Sequence, residues 1–212
     1  MKISQILSTI GLAAVSLAQT PPGFTPSVET KLEVIFGNKA VSEPGLSFTR
    51  QETSRQPTIG TTTPLTGTAY LWMMIDLDAL PPTPEKANAI LAPSSSTNLA
   101  NPGAGQPATY LHTVIRDFAP STSPDASGVY VLQSSQTGPV SWFPPMPPAE
   151  NPPHPHRYTN LLWEQPGGRA WAIPQGAGNM MQTQKLGFNV SAFQTAAGLA
   201  NPVRAVWFNV TG

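Results

Sequence analysis

Five runs of apolar, β-branched and aromatic residues recur along the chain, each bounded by proline, glycine or asparagine. They are LEVIF (32–36), AYLWMMID (69–76), YLHTVIRDF (110–118), YTNLLWEQ (158–165) and RAVWFNV (204–210). Runs of this length and composition predict strands. Several are apolar at consecutive rather than alternate positions. A strand with one wet face alternates, whereas a strand covered on both sides does not. The pattern therefore predicts a large sheet with a second layer on it.

Helical periodicity is confined to two short stretches. PEKANAI (84–90) places Pro84 at a natural first-turn position with Glu85 beside it, where a carboxylate complements the helix dipole. NVSAFQTAAGL (189–199) is better specified: Asn189 caps the first turn, Val190, Phe193 and Ala197 share a face, and Gly198–Leu199 reads as a stop. The segment 92–108, rich in Ser, Gly, Pro and Asn, has no period and reads as a loop. GAG at 103–105 and at 176–178 reads as glycine pairs in loops, without the rest of a nucleotide-binding fingerprint. Proline occurs 25 times, which excludes long helices from most of the chain and makes the expected class mostly β.

The 212 residues show no strong compositional break, so a single domain over 19–212 is expected. Eleven basic and eleven acidic residues cancel, and only 10% of positions are charged, against roughly 25% in an average soluble protein. The Lys and Arg residues are scattered, so no face suits a phosphate backbone and no nucleic-acid partner is expected. Any bound anion is small. Lys2 precedes an apolar stretch from Ile6 to Ala18, and Ser16-Leu17-Ala18 has the small-x-small form of a cleavage site. A cleaved secretory signal over 1–18 is expected, since the stretch falls short of the ~20 apolar residues that span a bilayer. No later segment is long enough to cross, so no transmembrane segment is expected and the secretory route is the expected location. There is no cysteine, hence no disulfide framework. N-x-S/T sequons at Asn189 and Asn209 are candidate glycosylation sites.

The three histidines, His112, His154 and His156, all fall in or beside strand segments. A ring on a buried strand must find a partner or cost about 1–3 kcal/mol, so the plain reading of His112 is a core histidine satisfied by backbone. Asp76 and Asp78 end an apolar strand two positions apart, which predicts a shared face at a pocket mouth or an ion pair. The run PPMPPAENPPHPHRY (144–158) contains PxxP frames, so it reads either as a polyproline II ligand for a partner's groove or as a rigid wall. His154-x-His156 could set two imidazoles on one face for a metal, but Pro153 and Pro155 constrain the backbone and no metal or cofactor is expected. No G-x-S-x-G occurs, and no serine is marked out beside a histidine.

The segments LEVIF, VSEPGLSF and QPTI (32–59), MMIDLDAL (73–80), LHTVI (111–115), PPMPP followed by HRY (144–158), LLWEQ (161–165) and FNVSAFQTAAGLANPVRAVWFNV (188–210), in this order, resemble the phosphatidylethanolamine-binding protein family. The resemblance implies that family's fold, a large antiparallel-rich sheet packed with a smaller one and few short helices. It also implies a small pocket for phosphate, a phosphorylated headgroup or another small anion. Asp76 and Asp78 match the family's two aspartates, His112 its strand histidine, Pro147–Pro148 its paired prolines, and His156, Arg157 and Tyr158 its H-R-Y. Leu77 and Leu80 stand where the family has prolines, and Pro144 and Met146 where it has small glycines, so Met146 would narrow the pocket or close off a backbone amide that an anion could use.

The ligand-binding set so implied is Asp76, His112, Met146, Pro148, His156 and Tyr158. On an extended segment His156 and Tyr158 point the same way and both donate hydrogen bonds, with Asp76 placed to hold a histidine charged. Arg157, on the other face, is the expected structural partner of Asp78. Three functions follow from the resemblance: a secreted protein binding a small anionic ligand or phospholipid headgroup; a catalytic or accessory protein of a fungal natural-product pathway, for example one joining anhydride or carboxylate units; and a protease inhibitor or signalling protein with a protein partner. No catalytic residue is assigned, and the prolines of 144–155 read as the pocket wall.

Overall fold

The computed structural model describes residues 18–79 and 107–212. The helix expected over 84–90, Leu80, the loop 92–106 and nearly all of the N-terminal apolar stretch lie outside the described residues. Strands β1 (Glu33–Phe36), β2 (Lys39–Ala40), β3 (Leu46–Phe48), β4 (Thr58–Thr61), β5 (Tyr70–Ala79), β6 (Ala108–Pro120), β7 (Tyr130–Gln133), β8 (Pro139–Val140), β9 (Pro155–Glu164) and β10 (Arg204–Thr211) form one curled sheet. Its order is β2-β1-β4-β7-β6-β5-β9-β10-β3, with β8 beside β6. All pairings between these strands are antiparallel except β3 with β10.

The curl is made in β6. Its body pairs with β5 from Ala108 to Phe118, and Ala119 and Pro120 then pair with β7 in the smaller wing. At the turning point Asp117 has φ 63°, a left-handed conformation in a residue that is not glycine. Gln165 holds it there: its Oε1 accepts from the Asp117 amide at 2.7 Å and its Nε2 donates to the Asp117 carboxylate at 2.9 Å.

Strand β5 explains why its sequence does not alternate. Tyr70, Trp72 and Met74 face the smaller wing, in a core with Leu32, Val34, Phe36, Ile59, Leu162 and Phe208. Leu71, Met73, Ile75 and Leu77 face the opposite way, onto α1 (Gln175–Thr183) and α2 (Val190–Ala197). Both faces are dry. Trp72 stacks on Trp142 at 5.9 Å, and its indole Nε1 donates to Asn160 Oδ1 at 3.2 Å, so its one polar atom is paired inside the core.

Helix α2 starts on Asn189, whose Oδ1 accepts from the Ala192 amide at 2.9 Å, and ends on Gly198 at φ 65°. Helix α1 corrects the reading of GAG at 176–178 as a loop: Gly176, Ala177 and Gly178 form its first turns. Only Ala177 and Met181 of α1 are buried, so its apolar stripe is too thin to be seen as a period. Strand β9 begins at Pro155, inside the proline run. A proline is tolerated as the first residue of a strand because no ladder donor is required there.

The C-terminal end of β5 and the N-terminal ends of β6 and β9 meet at one edge of the large sheet, with Asp76 opposite Tyr110 on one side and Tyr158 on the other. Residues 141–154 run past this edge without regular structure. Pro145 and Pro147 are buried while Met146 and Pro148 are exposed.

Candidate functional site

Two carboxylates grip one imidazole where these strands meet. His156 is 1% exposed, with Nδ1 2.7 Å from Asp76 Oδ2 and Nε2 2.8 Å from Glu150 Oε1. A carboxylate only accepts, so both ring nitrogens donate and the ring is an imidazolium. Burial alone would pull the ring below its ordinary value. The hydrogen bond and charge of Asp76, then those of Glu150, outweigh burial and hold it above.

His112 is in the opposite state. Its Nδ1 lies 3.0 Å from the carbonyl oxygen of Phe143, which fixes the proton on that nitrogen. Burial pulls this ring below the ordinary imidazole value, against a weaker upward pull from the Phe143 carbonyl. The neutral tautomer leaves Nε2 as an acceptor, and no partner sits on it among the described residues. The backbone thus satisfies one nitrogen of His112, as the plain reading of the sequence has it, and leaves the other for use.

Tyr158 lies between the two rings. His112 meets it edge-on at 5.1 Å and His156 stacks near it at 6.5 Å. Burial, then the Asp76 charge, push its phenol far above the ordinary value, so it stays a neutral O–H donor. Three groups of distinct character are thereby gathered: a cationic donor, a neutral acceptor and a neutral donor.

The two aspartates separate. The register shifts between Asp76 and Ala79, so strict alternation along β5 fails there and the carboxylates do not act as a pair. Asp76 serves His156. Asp78 accepts from the Arg157 backbone amide at 2.9 Å, Nε at 2.8 Å and Nη2 at 2.7 Å, a two-pronged ion pair plus a strand-edge bond. Burial would push the Asp78 carboxyl up, but the hydrogen bonds from Arg157 hold it below its usual range. Met146 is 61% exposed, so its side chain stands in solvent rather than filling the pocket. Pro148 is exposed on the same rim, and His154, also exposed, lies 6.4 Å from His156, ring to ring.

Sequence reasoning passed over Glu150 and Phe143. Glu150 is the only Asp, Glu, Lys or Arg in the proline run from 144 to 155, and that isolation was the available signal. Phe143 is 46% exposed yet stacks on His112 at 5.2 Å, covering one face of that ring with an aromatic side chain. The sequons also differ. Asn209 Nδ2 donates to the Gly45 carbonyl at 2.9 Å from inside a strand paired on both sides, whereas Asn189 uses only its Oδ1, as the helix cap. On the opposite face of the sheet a cavity of about 770 Å³ is lined by Phe24, Leu77, Arg157 and Phe188 among others. It contains none of the histidines.

No helix among the described residues is long and apolar enough to cross a membrane. Compared with known proteins, the chain is 25% identical over 205 residues to phomoidride biosynthesis cluster protein N of Talaromyces stipitatus, covering 90% of this chain and 89% of that one. Its fold is similar to carboxypeptidase Y inhibitor, solved in complex with its cognate proteinase, with TM-score 0.55, 15% identity and coverage of 87% and 84%. It is also similar to a phosphatidylethanolamine-binding protein from Plasmodium vivax, with TM-score 0.50, 14% identity and coverage of 89% and 91%. These structures share the fold of the mostly β chain described above. The sequence model of the family matches residues 28–201, and the chain belongs to the phosphatidylethanolamine-binding protein family.

Proposed function

We propose that the protein is a secreted binding protein that takes a small anion, a carboxylate or a phosphorylated headgroup, onto His156. One observation carries this reading: the Nε2 of a buried imidazolium is turned to the partly exposed Glu150 side chain, so an anionic oxygen already accepts its hydrogen bond at 2.8 Å. Asp76 keeps the ring charged and oriented from behind. His112 Nε2 offers an acceptor for a ligand O–H, while the Tyr158 phenol braces the Asp76 carboxylate with a hydrogen bond. The apolar N-terminal stretch and the sequon at Asn189 support the secretory route.

Calorimetric titration with inorganic phosphate, phosphorylethanolamine and malonate tests the reading. At least one should bind, and His156→Ala should abolish that binding. Affinity for malonate should fall as pH rises through the raised value of His156, because the neutral ring no longer attracts the anion. Binding that survives His156→Ala unchanged rejects the site.

A second reading is catalytic, with His156 as proton donor and His112 as proton acceptor to one bound acid. The contrast between the two rings favours it, as does the relative named for a biosynthesis cluster. Turnover of a candidate acid by the wild type but not by His112→Ala distinguishes it from binding alone.

A further inference from the structure

We propose that Glu150 is an internal stand-in for the ligand: its carboxylate holds the anion position on His156 in the free protein, and ligands enter by exchanging with it. The inference rests on the anion-pocket reading and adds to it which acids the pocket selects. Asp76 and Glu150 already set two carboxylates around one imidazolium, with oxygens 2.7 Å and 2.8 Å from its nitrogens. An anion that joined them without displacement would be a third negative charge on one imidazolium, which like-charge repulsion opposes. Exchange keeps the charge count unchanged.

Glu150 is placed to leave. His156 is its one hydrogen-bond partner among the described residues, whereas Asp78 in the neighbouring ion pair is held by three bonds from Arg157. Its side chain retains 17% exposure, against 4% for Asp76. From Pro148 to His154 no backbone–backbone hydrogen bond forms among the described residues, so between its ends the segment is held by the Glu150–His156 bond. Upstream, the Pro147 carbonyl accepts from Arg50 Nη2, and downstream β9 begins at Pro155.

Selectivity follows from exchange. A tethered carboxylate competes at an effective concentration on the order of millimolar, and apparent affinity scales with the fraction of molecules in which it has left. A monocarboxylate swaps one carboxylate–imidazolium bond for another and gains nothing. A ligand bringing a second oxygen that carries a proton, such as a phosphate monoester or a half-ionised dicarboxylic acid, also donates an O–H to His112 Nε2. The pocket therefore selects acids with at least two oxygen-bearing groups or a multiply charged centre.

Acetate, malonate and inorganic phosphate are titrated into the purified wild type, Glu150→Ala, Glu150→Gln and, as a charge control, Glu43→Gln in an exposed turn far along the chain. Malonate and phosphate should bind the wild type more tightly than acetate does. Both Glu150 variants should bind all three roughly tenfold more tightly or better, by a similar factor because each ligand displaces the same carboxylate, while Glu43→Gln matches the wild type. Thermal melts establish that the variants fold. Wild-type binding that the Glu150 variants leave unchanged or weaken overturns the stand-in role and spares the pocket. An absence of binding in every protein, the Glu150 variants included, overturns the anion pocket and this inference together.

Discussion

Asp76 and Asp78 stand two positions apart, and substitution should separate what each does. Asp78→Asn leaves the half-buried Arg157 guanidinium without its counter-charge. The expected loss is about 2–3 kcal/mol of stability, below the full cost of stripping a wholly buried pair because Arg157 keeps some solvent; urea denaturation measures it. Asp76→Asn instead removes the charge behind His156. The imidazole should titrate nearer its ordinary value by NMR, with malonate affinity falling about tenfold, equivalent to ~1.4 kcal/mol. An unmoved titration would mean that Glu150 alone holds the proton. The alternation that puts His156 and Tyr158 on one face of β9 and Arg157 on the other is readable from spacing. Glu150 is not: it sits in irregular backbone six positions from His156, where no period relates one side chain to the next. Met146 misleads for the same reason, because a residue's place in a motif does not say which way an irregular segment turns it.

At the scale of elements, α2 offers a cap that doubles as a sequon. In protein made without glycosylation, Asn189→Ala should cost about 1 kcal/mol, since the Ala192 amide loses its acceptor. Asn189→Asp should cost nothing measurable, because its carboxylate still accepts and complements the helix dipole. Thermal melting of the two variants decides: equal losses would show that the cap bond contributes nothing and that the side chain matters only by packing. The same helix was legible because its signals are local, a cap at one end, glycine at the other and an apolar stripe between. Strands β5, β6, β9 and β10 were legible because continuous apolar runs report burial on both faces. Strands β2 and β8, of two residues each, carry too few positions for any period, and α1 spends two of its nine residues on glycine. The curl at Asp117 depends on Gln165, 48 residues away, so no local pattern could announce it.

For the whole molecule, the two pocket histidines tie stability to pH in opposite senses. His156 is raised above the ordinary value of 6.5, so the folded state binds its proton more tightly than the unfolded chain. That contribution is complete below pH 6.5 and is lost as pH rises from there through the raised value. His112 is lowered from 6.5, so the folded state prefers the neutral ring. Its contribution is complete above pH 6.5 and is lost as pH falls toward the lowered value. The two contributions are both complete only near pH 6.5, so the melting temperature should peak there and decline on either side. Asp78, held below its ordinary 3.8, adds loss only in stronger acid. Melting curves recorded from about pH 5 to about pH 8 should show the peak in the wild type, a flattened alkaline limb in His156→Gln and a flattened acid limb in His112→Gln. A wild-type profile that rises or falls steadily across this range would mean that one ring does not hold the protonation state its hydrogen bonds dictate. The pairing of a cationic donor with a neutral acceptor, on which both the proposed binding and the proposed proton transfer rest, would then be wrong.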